Sequence, residues 1–309
     1  MSKFSSCFAL IAKGLAMGAA DVVPGVSGGT IAFITGIYDR LLNALKSISP
    51  SLLKVLRSKG IAGVWQKIDG TFLVCVFGGV LTSIMSFAHI IIWFLATYPE
   101  MLWSFFFGLI LVSGLHMIRQ VHQWNVSTNI SLIVGIVIAY VVSILTPASL
   151  EPAMVTLFFA GAIAICAMIL PGISGSFILL IMGLYGPIID AIKSLNFSVL
   201  IVFGLGCIGG LLSFSHMLSW LLKRHRDLAI SLLTGLMLGA LGKVWPWKET
   251  LETRINDSGE RVPLIQVNVS PMNYEGITGQ PAYLIESAGL MIFAIVLVLM
   301  VERFGSKKH

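Results

Sequence analysis

The sequence predicts an all-α polytopic membrane protein built as an inverted repeat, each half holding one re-entrant helical hairpin and three transmembrane helices. Three features predict it: a large excess of apolar over charged residues, apolar runs of spanning length, and a Pro-Gly-x-Ser-Gly segment that occurs once in each half.

Of the 309 residues, 57% are hydrophobic and 11% charged, and the mean hydropathy is +0.94. Soluble domains carry about 25% charged residues. No soluble core of this size absorbs such a deficit, so the bilayer is the solvent. The formal charge of +6 and pI of about 9.2 do not indicate a nucleic-acid partner. The basic residues lie between apolar runs, where they orient the chain in a membrane. Cys7, Cys75, Cys166 and Cys207 sit in apolar stretches at irregular spacing. They give no metal pattern and no disulfide framework, and read as small core residues.

The first element is a hairpin over residues 4–45, whose two apolar arms flank the break Asp21-Val-Val-Pro-Gly-Val-Ser-Gly-Gly-Thr30. Its start mimics a signal peptide, but Lys13 interrupts the apolar run, and the segment reads as retained structure. Spans follow at 71–96, 103–117 and 129–145. A second hairpin, 154–192, carries the break Met168-Ile-Leu-Pro-Gly-Ile-Ser-Gly-Ser-Phe177. Spans at 197–222, 228–244 and 283–301 complete the set. About 20 apolar residues cross the hydrocarbon core, and the hairpin arms fall short of that. Broken backbone at membrane depth persists only where it lines a cavity or is buried in protein. Re-entrant hairpins satisfy both constraints.

Charge orients these elements. Lys46, Lys54, Arg57, Lys59 and Lys67 stand against Asp69 in one loop, and Lys223-Arg224-His225-Arg226-Asp227 forms another. The C-terminal tail adds Arg303, Lys307 and Lys308. Opposite them fall Glu100, Glu151 and residues 245–282, where three basic residues face five acids. With each hairpin returning to its own side, the basic loops and both termini are cytoplasmic, and 245–282 is a periplasmic segment.

Residues 1–150 and 151–309 are two copies of one design. With Pro24 set on Pro171, 11 of the 24 positions through Ser47 and Ser194 are identical, including Gly36/Gly183 and Tyr38/Tyr185. Further along, Ser86-Phe-Ala-His89 through Trp93 matches Ser213-Phe-Ser-His216 through Trp220, and Phe107-Gly-Leu-Ile-Leu111 matches Thr234-Gly-Leu-Met-Leu238. One hairpin plus three spans is an odd number of crossings, so the second copy enters from the opposite side. That architecture lets one site open alternately to either face.

The paired breaks have the means to bind an anion. Glycines allow successive N–H groups to turn into one concavity, and the following arm offers helix-terminal donors. In the first copy these residues are Pro24, Gly25, Ser27, Gly28, Gly29 and Thr30; in the second they are Pro171, Gly172, Ser174, Gly175 and Ser176. Close helix packing is the other use of such breaks; their recurrence at corresponding positions favours the site. Asp21 precedes the first loop and is a candidate for carrying a proton or sodium ion, or for capping the loop by accepting its N–H groups. His89 and His216 are equivalent mid-span positions, open to proton coupling or to a hydrogen-bonded structural role. Lys13, Arg40, Arg119 and Lys243 lie near arm or span ends, where snorkelling accounts for them; Lys13 and Arg40 can also recruit an anionic headgroup.

The stretch Met17-Gly-Ala-Ala-Asp-Val-Val-Pro-Gly-Val-Ser-Gly-Gly-Thr30 with Gly36-Ile-Tyr38, and Leu170-Pro-Gly-Ile-Ser-Gly-Ser176 with Gly183-Leu-Tyr185, resembles the signature of the bacterial polyprenyl-phosphate transporter family, PopT. The resemblance runs over nearly the whole chain. It implies return of undecaprenyl phosphate, the carrier lipid of cell-envelope synthesis, from the outer to the cytoplasmic leaflet of the inner membrane. It also implies coupling to a proton or sodium gradient, with no other cofactor and no metal. A phosphate head needs a polar cradle while the isoprenoid tail stays in lipid, so the site should open sideways. Gly78-Gly79 and Gly209-Gly210 offer interfaces for sliding helices.

Two other classes compete. Undecaprenyl-pyrophosphate phosphatases share a Pro-Gly-x-Ser loop followed by arginine, with nearby glutamates. Here Gly28 and Gly175 follow the serines, which removes the cation that would stabilise a transferring phosphoryl group. A transporter or channel for a small ion or solute is the second, and would need no lateral opening. Nothing in the sequence sets an oligomeric state.

Overall fold

The computed structural model describes residues 3–23, 26–49, 51–145, 150–255 and 261–306. The first hairpin region holds α1 (Lys3–Val22), α2 (Gly28–Ile34) and α3 (Tyr38–Ser47), followed by α4 (Leu52–Lys67). Three long helices come next: α5 (Gly70–Thr97), α6 (Pro99–Ile118) and α7 (Val126–Ile144). The chain continues through α8 (Met154–Ile169), α9 (Gly175–Ile181), α10 (Tyr185–Lys193), α11 (Phe197–Arg224) and α12 (Arg226–Gly239), which ends in a 3-10 turn at Ala240–Gly242. Strands β1 (Lys248–Ile255) and β2 (Arg261–Asn268) pair antiparallel, and α13 (Pro271–Thr278) and α14 (Leu284–Ser306) close the chain. It is an all-α polytopic membrane protein with one small β-hairpin attached.

Among the described residues, five helices are long and apolar enough to cross a bilayer: α5, α6, α7, α11 and α14. The expected span at 228–244 is different. Its helix stops at Gly239 after 14 residues, a length of about 21 Å at 1.5 Å per residue. In exchange it is enclosed, with Ala229, Ile230, Leu233, Leu236 and Met237 almost fully buried. A helix apolar all round belongs in the centre of the protein.

Three further expectations are corrected. Each hairpin was expected to have one return arm, but the arm is split by a second break. Gly36 (φ +69°) separates α2 from α3, and Gly183 (φ +72°) separates α9 from α10. This left-handed conformation is open to glycine without strain, and α9 and α10 meet at 110°. The basic stretch after the first hairpin, read as a loop, is helix α4, kinked at Gly60 and without a buried residue. Cys7 and Cys75, read as unlinked core residues, form a disulfide across α1 and α5, with Cα atoms 6.1 Å apart and a sequence separation of 68. Helix packing brings them together, which spacing along the chain does not reveal.

The packing is set by glycines. Gly14 lies against Val76 and Gly79, and Gly18 against Val80 and Ser83, so α1 and α5 run side by side in the same direction. In the second copy Gly161 meets Phe203 and Cys207 while Gly210 meets Ala162, giving α8 and α11 the same relation. Two further pairs join the N-terminal and C-terminal halves of the chain: Gly108 of α6 faces Met291 of α14, and Gly235 of α12 faces Leu132 and Gly135 of α7. A Cβ at Gly235 would stand 2.2 Å from the Leu132 carbonyl oxygen, so these contacts exclude any side chain.

Charged loops gather at one end. Asp227 accepts hydrogen bonds from the N–H groups of His122 and Gln123 (3.2 and 3.0 Å), joining the turns before α7 and α12. At the other end the β-hairpin module is clamped to the helices. Trp247 donates to the Ala282 carbonyl (2.8 Å) and Trp245 to that of Val269 (3.0 Å). The Tyr274 hydroxyl donates to the buried carboxylate of Glu100, at the start of α6. Burial, and then the hydrogen bond to Glu100, hold the Tyr274 phenol above the usual tyrosine range.

Candidate binding site at the paired loops

The two glycine-serine loops meet. Ser27 is buried and extended (φ −118°, ψ 132°), so its side chain caps α2 by accepting the Gly29 N–H at 3.1 Å. The same hydroxyl lies 3.2 Å from the Leu170 carbonyl oxygen and 3.3 Å from that of Met168, as donor to the opposite loop. In return, the Gly172 N–H donates to Thr30 Oγ1 at 3.1 Å. Tyr38, fully enclosed, donates to the Ile169 carbonyl at 3.1 Å. Residues separated by more than 130 positions in sequence thus share one polar cluster.

Two glycines make the approach close enough. A Cβ at Gly29 would be 2.8 Å from the Ile169 carbonyl oxygen, and one at Gly28 would be 2.5 Å from Asp21 Oδ2. Asp21 occupies the space left by Gly28 and accepts its N–H at 2.6 Å. This is the capping geometry that the sequence offered as one of two roles for Asp21. Lys13 donates from Nζ to the Thr35 carbonyl at the C-terminal end of α2 (2.6 Å).

In the second loop Pro171, Gly172, Ser174 and Gly175 are buried while Ser176 is exposed. The Ser174 and Ser176 hydroxyls pair at 2.9 Å. Gly172 takes φ +87° and rests on Leu236 and Met237 of α12. Pro24 and Gly25 lie outside the described residues. Two small pockets lie near the loops: one is lined by Phe33, Gly36, Tyr38, Asp39, Gln120 and Arg226, the other, of about 10 Å³, by Gly172, Ser174, Phe177 and Lys243.

Other candidates fall elsewhere. Arg40 pairs with Asp69 through two hydrogen bonds (2.6 and 3.1 Å) and lies over the Phe72 ring, on the outside of the hairpin. His89 and His216 are exposed on α5 and α11, His216 turned back on its own helix at the Leu212 carbonyl (2.7 Å). Neither histidine reaches the loops. Sequence reasoning missed Tyr38 as a bridging residue, although its identity with Tyr185 was the available signal. It also missed the Glu100–Tyr274 bond, for which no sequence signal exists.

The loops fall inside a wider match. The family described as VCA0040-like, undecaprenyl phosphate translocase-like, matches residues 17–262. A polyprenyl-phosphate transporter of Vibrio cholerae serotype O1 is 57% identical over 295 residues, covering 96% of each chain. The chain belongs to the polyprenyl-phosphate transporter family. A second member, from Staphylococcus aureus, is 31% identical over 257 residues, which is 76% of this chain and 85% of that one. No solved structure matches. Both loops, the helices that bury them and the paired strands up to residue 262 lie within the family match.

Proposed function

We propose that the protein translocates undecaprenyl phosphate from the outer to the cytoplasmic leaflet of the bacterial inner membrane, returning the carrier lipid for envelope synthesis. Two inverted copies, each with a re-entrant hairpin, expose the loop cluster alternately to either side. The termini face the cytoplasm and the β-hairpin module faces the periplasm. Proton or sodium coupling runs through Asp21. No covalent chemistry is performed on the lipid.

One observation carries this reading: the loops of the two copies bond directly to each other, Ser27 to the Leu170 carbonyl and Gly172 to Thr30. A polar centre shared by both copies is where an inverted-repeat transporter holds its substrate. Family membership and the names of two relatives support the choice of a polyprenyl phosphate. The matched glycine contacts in α1–α5 and α8–α11, and in α6–α14 and α12–α7, support the repeat.

The phosphate would take donors now used internally. Gly28 N–H is held by Asp21 and Gly29 N–H by Ser27, so the headgroup must displace the carboxylate to reach the first loop. Two anions competing for one N–H cannot stay together, and taking up a proton or sodium ion frees Asp21 to leave. That exchange couples ion to lipid. A leaflet assay for undecaprenyl phosphate in proteoliposomes tests the reading. Asp21→Ala and Ser27→Ala should each abolish translocation while inserting normally, and unchanged rates in both would remove the first loop from the mechanism.

A further inference from the structure

A cavity of about 510 Å³ opens beneath the β-hairpin, between the end of α7 and helix α9. Tyr140 and Ser143 of α7, Phe177 of α9, Lys243, Lys248 and Asn268 are among its walls. The two lysines share it without a counter-ion. Lys248 donates to the Lys243 carbonyl and stands 4.7 Å above the Trp103 ring, while Lys243 Nζ sits 4.4 Å over Phe177. Among the described residues no carboxylate lines the cavity and neither lysine forms an ion pair. Half-buried like charges are unfavourable without an anion to neutralise them.

The surroundings select the kind of anion. The α7 wall ends in exposed Tyr140, Ile144 and Leu145, so an apolar tail attached to the ligand can remain outside the protein. Inward, Ser143, Phe177 and Lys243 also line a small void of about 10 Å³ that borders Gly172 and Ser174 of the second loop. Asn268 and Ser143 add neutral hydrogen-bonding groups beside the cations. A compact dianion with several acceptor oxygens on a long apolar chain matches all three features.

We propose that Lys243 and Lys248 form a loading site for a phosphomonoester headgroup, which binds there before passing to the neighbouring second loop. The site rests on the transport reading above and gives it a binding step on the side of the β-hairpin. Lys248 belongs to the segment after α12 that has no counterpart in the first copy, so the loading site exists at one end only.

The test uses the full-length protein in nanodiscs, with undecaprenyl phosphate and inorganic phosphate as probes. Lys243→Gln and Lys248→Gln should each weaken lipid binding by about tenfold to a hundredfold, the loss expected for one charged hydrogen bond. Lys243→Arg and Lys248→Arg should retain binding, and all four should keep the wild-type melting temperature. In vesicles, the Gln variants should slow translocation of lipid supplied in the leaflet on the β-hairpin side. Wild-type translocation with unaffected Gln variants overturns the loading site and leaves the transport reading standing. Equal loss in the Arg and Gln variants, or inorganic phosphate displacing the lipid at equal concentration, also overturns it. A wild type that neither binds nor moves the lipid overturns both readings.

Discussion

Ser27 holds two structures together with one oxygen: as acceptor it starts α2, and as donor it reaches the backbone of the other loop. Asp21 is equally economical, fixing the Gly28 amide that a ligand would otherwise use. Gly28→Ala places a Cβ against that carboxylate and should lower stability by about 1–3 kcal/mol, the scale of a lost charged hydrogen bond, as read by thermal unfolding. Lys248 makes a pH prediction. Burial, then the charge of Lys243, push its pKa down to about 7, so it loses its proton near neutrality. Tyr140 and Lys243 are the other titratable residues lining the cavity. Lipid binding should therefore strengthen as pH falls from about 8 to 6 in the wild type, and this rise should shrink in Lys248→Arg, whose guanidinium stays charged. A titration followed by lipid binding checks it; an identical pH profile in both proteins would contradict it.

At the scale of elements, packing depends on which glycines touch neighbours. Gly235→Ala must push a methyl into the Leu132 backbone, whereas Gly78 has nothing within 4 Å of an added Cβ. Gly235→Ala should destabilise by about 1–3 kcal/mol, and Gly78→Ala should be neutral or mildly stabilising; melting temperatures of the two variants decide it. The disulfide makes a second prediction at this scale. Alkylation of the denatured protein should modify Cys166 and Cys207 alone, and all four cysteines only after reduction. Spanning helices were legible because long apolar runs have few alternatives. The extra break at Gly36 was not, since one glycine in an apolar run does not announce its φ. Helix α12 was misjudged in length because the apolar pattern continues past Gly239, where tertiary contacts with α7 take over. The β-hairpin has a local signal in β2, whose Val262, Ile265 and Val267 favour a strand.

For the whole molecule, the sequence revealed that the Pro-Gly-x-Ser-Gly segment occurs twice, and the structure places the two loops in contact. The exchange of partners, α6 with α14 and α7 with α12, was not legible, because helices apolar on every face carry no directional pattern. Related residues also differ between copies: Tyr38 is buried on the Ile169 carbonyl, while Tyr185 is exposed. The larger cavity lies on the side of the second hairpin. Transport as proposed requires that the lipid phosphate reach the shared loop cluster. Undecaprenyl phosphate carrying a photoreactive group beside its phosphate, cross-linked to the protein in membranes and mapped by mass spectrometry, tests this directly. Adducts should form on both loops, around Ser27–Thr30 and Gly172–Ser176. Adducts confined to the outer faces of α5 and α11, with both loops unlabelled, would contradict it.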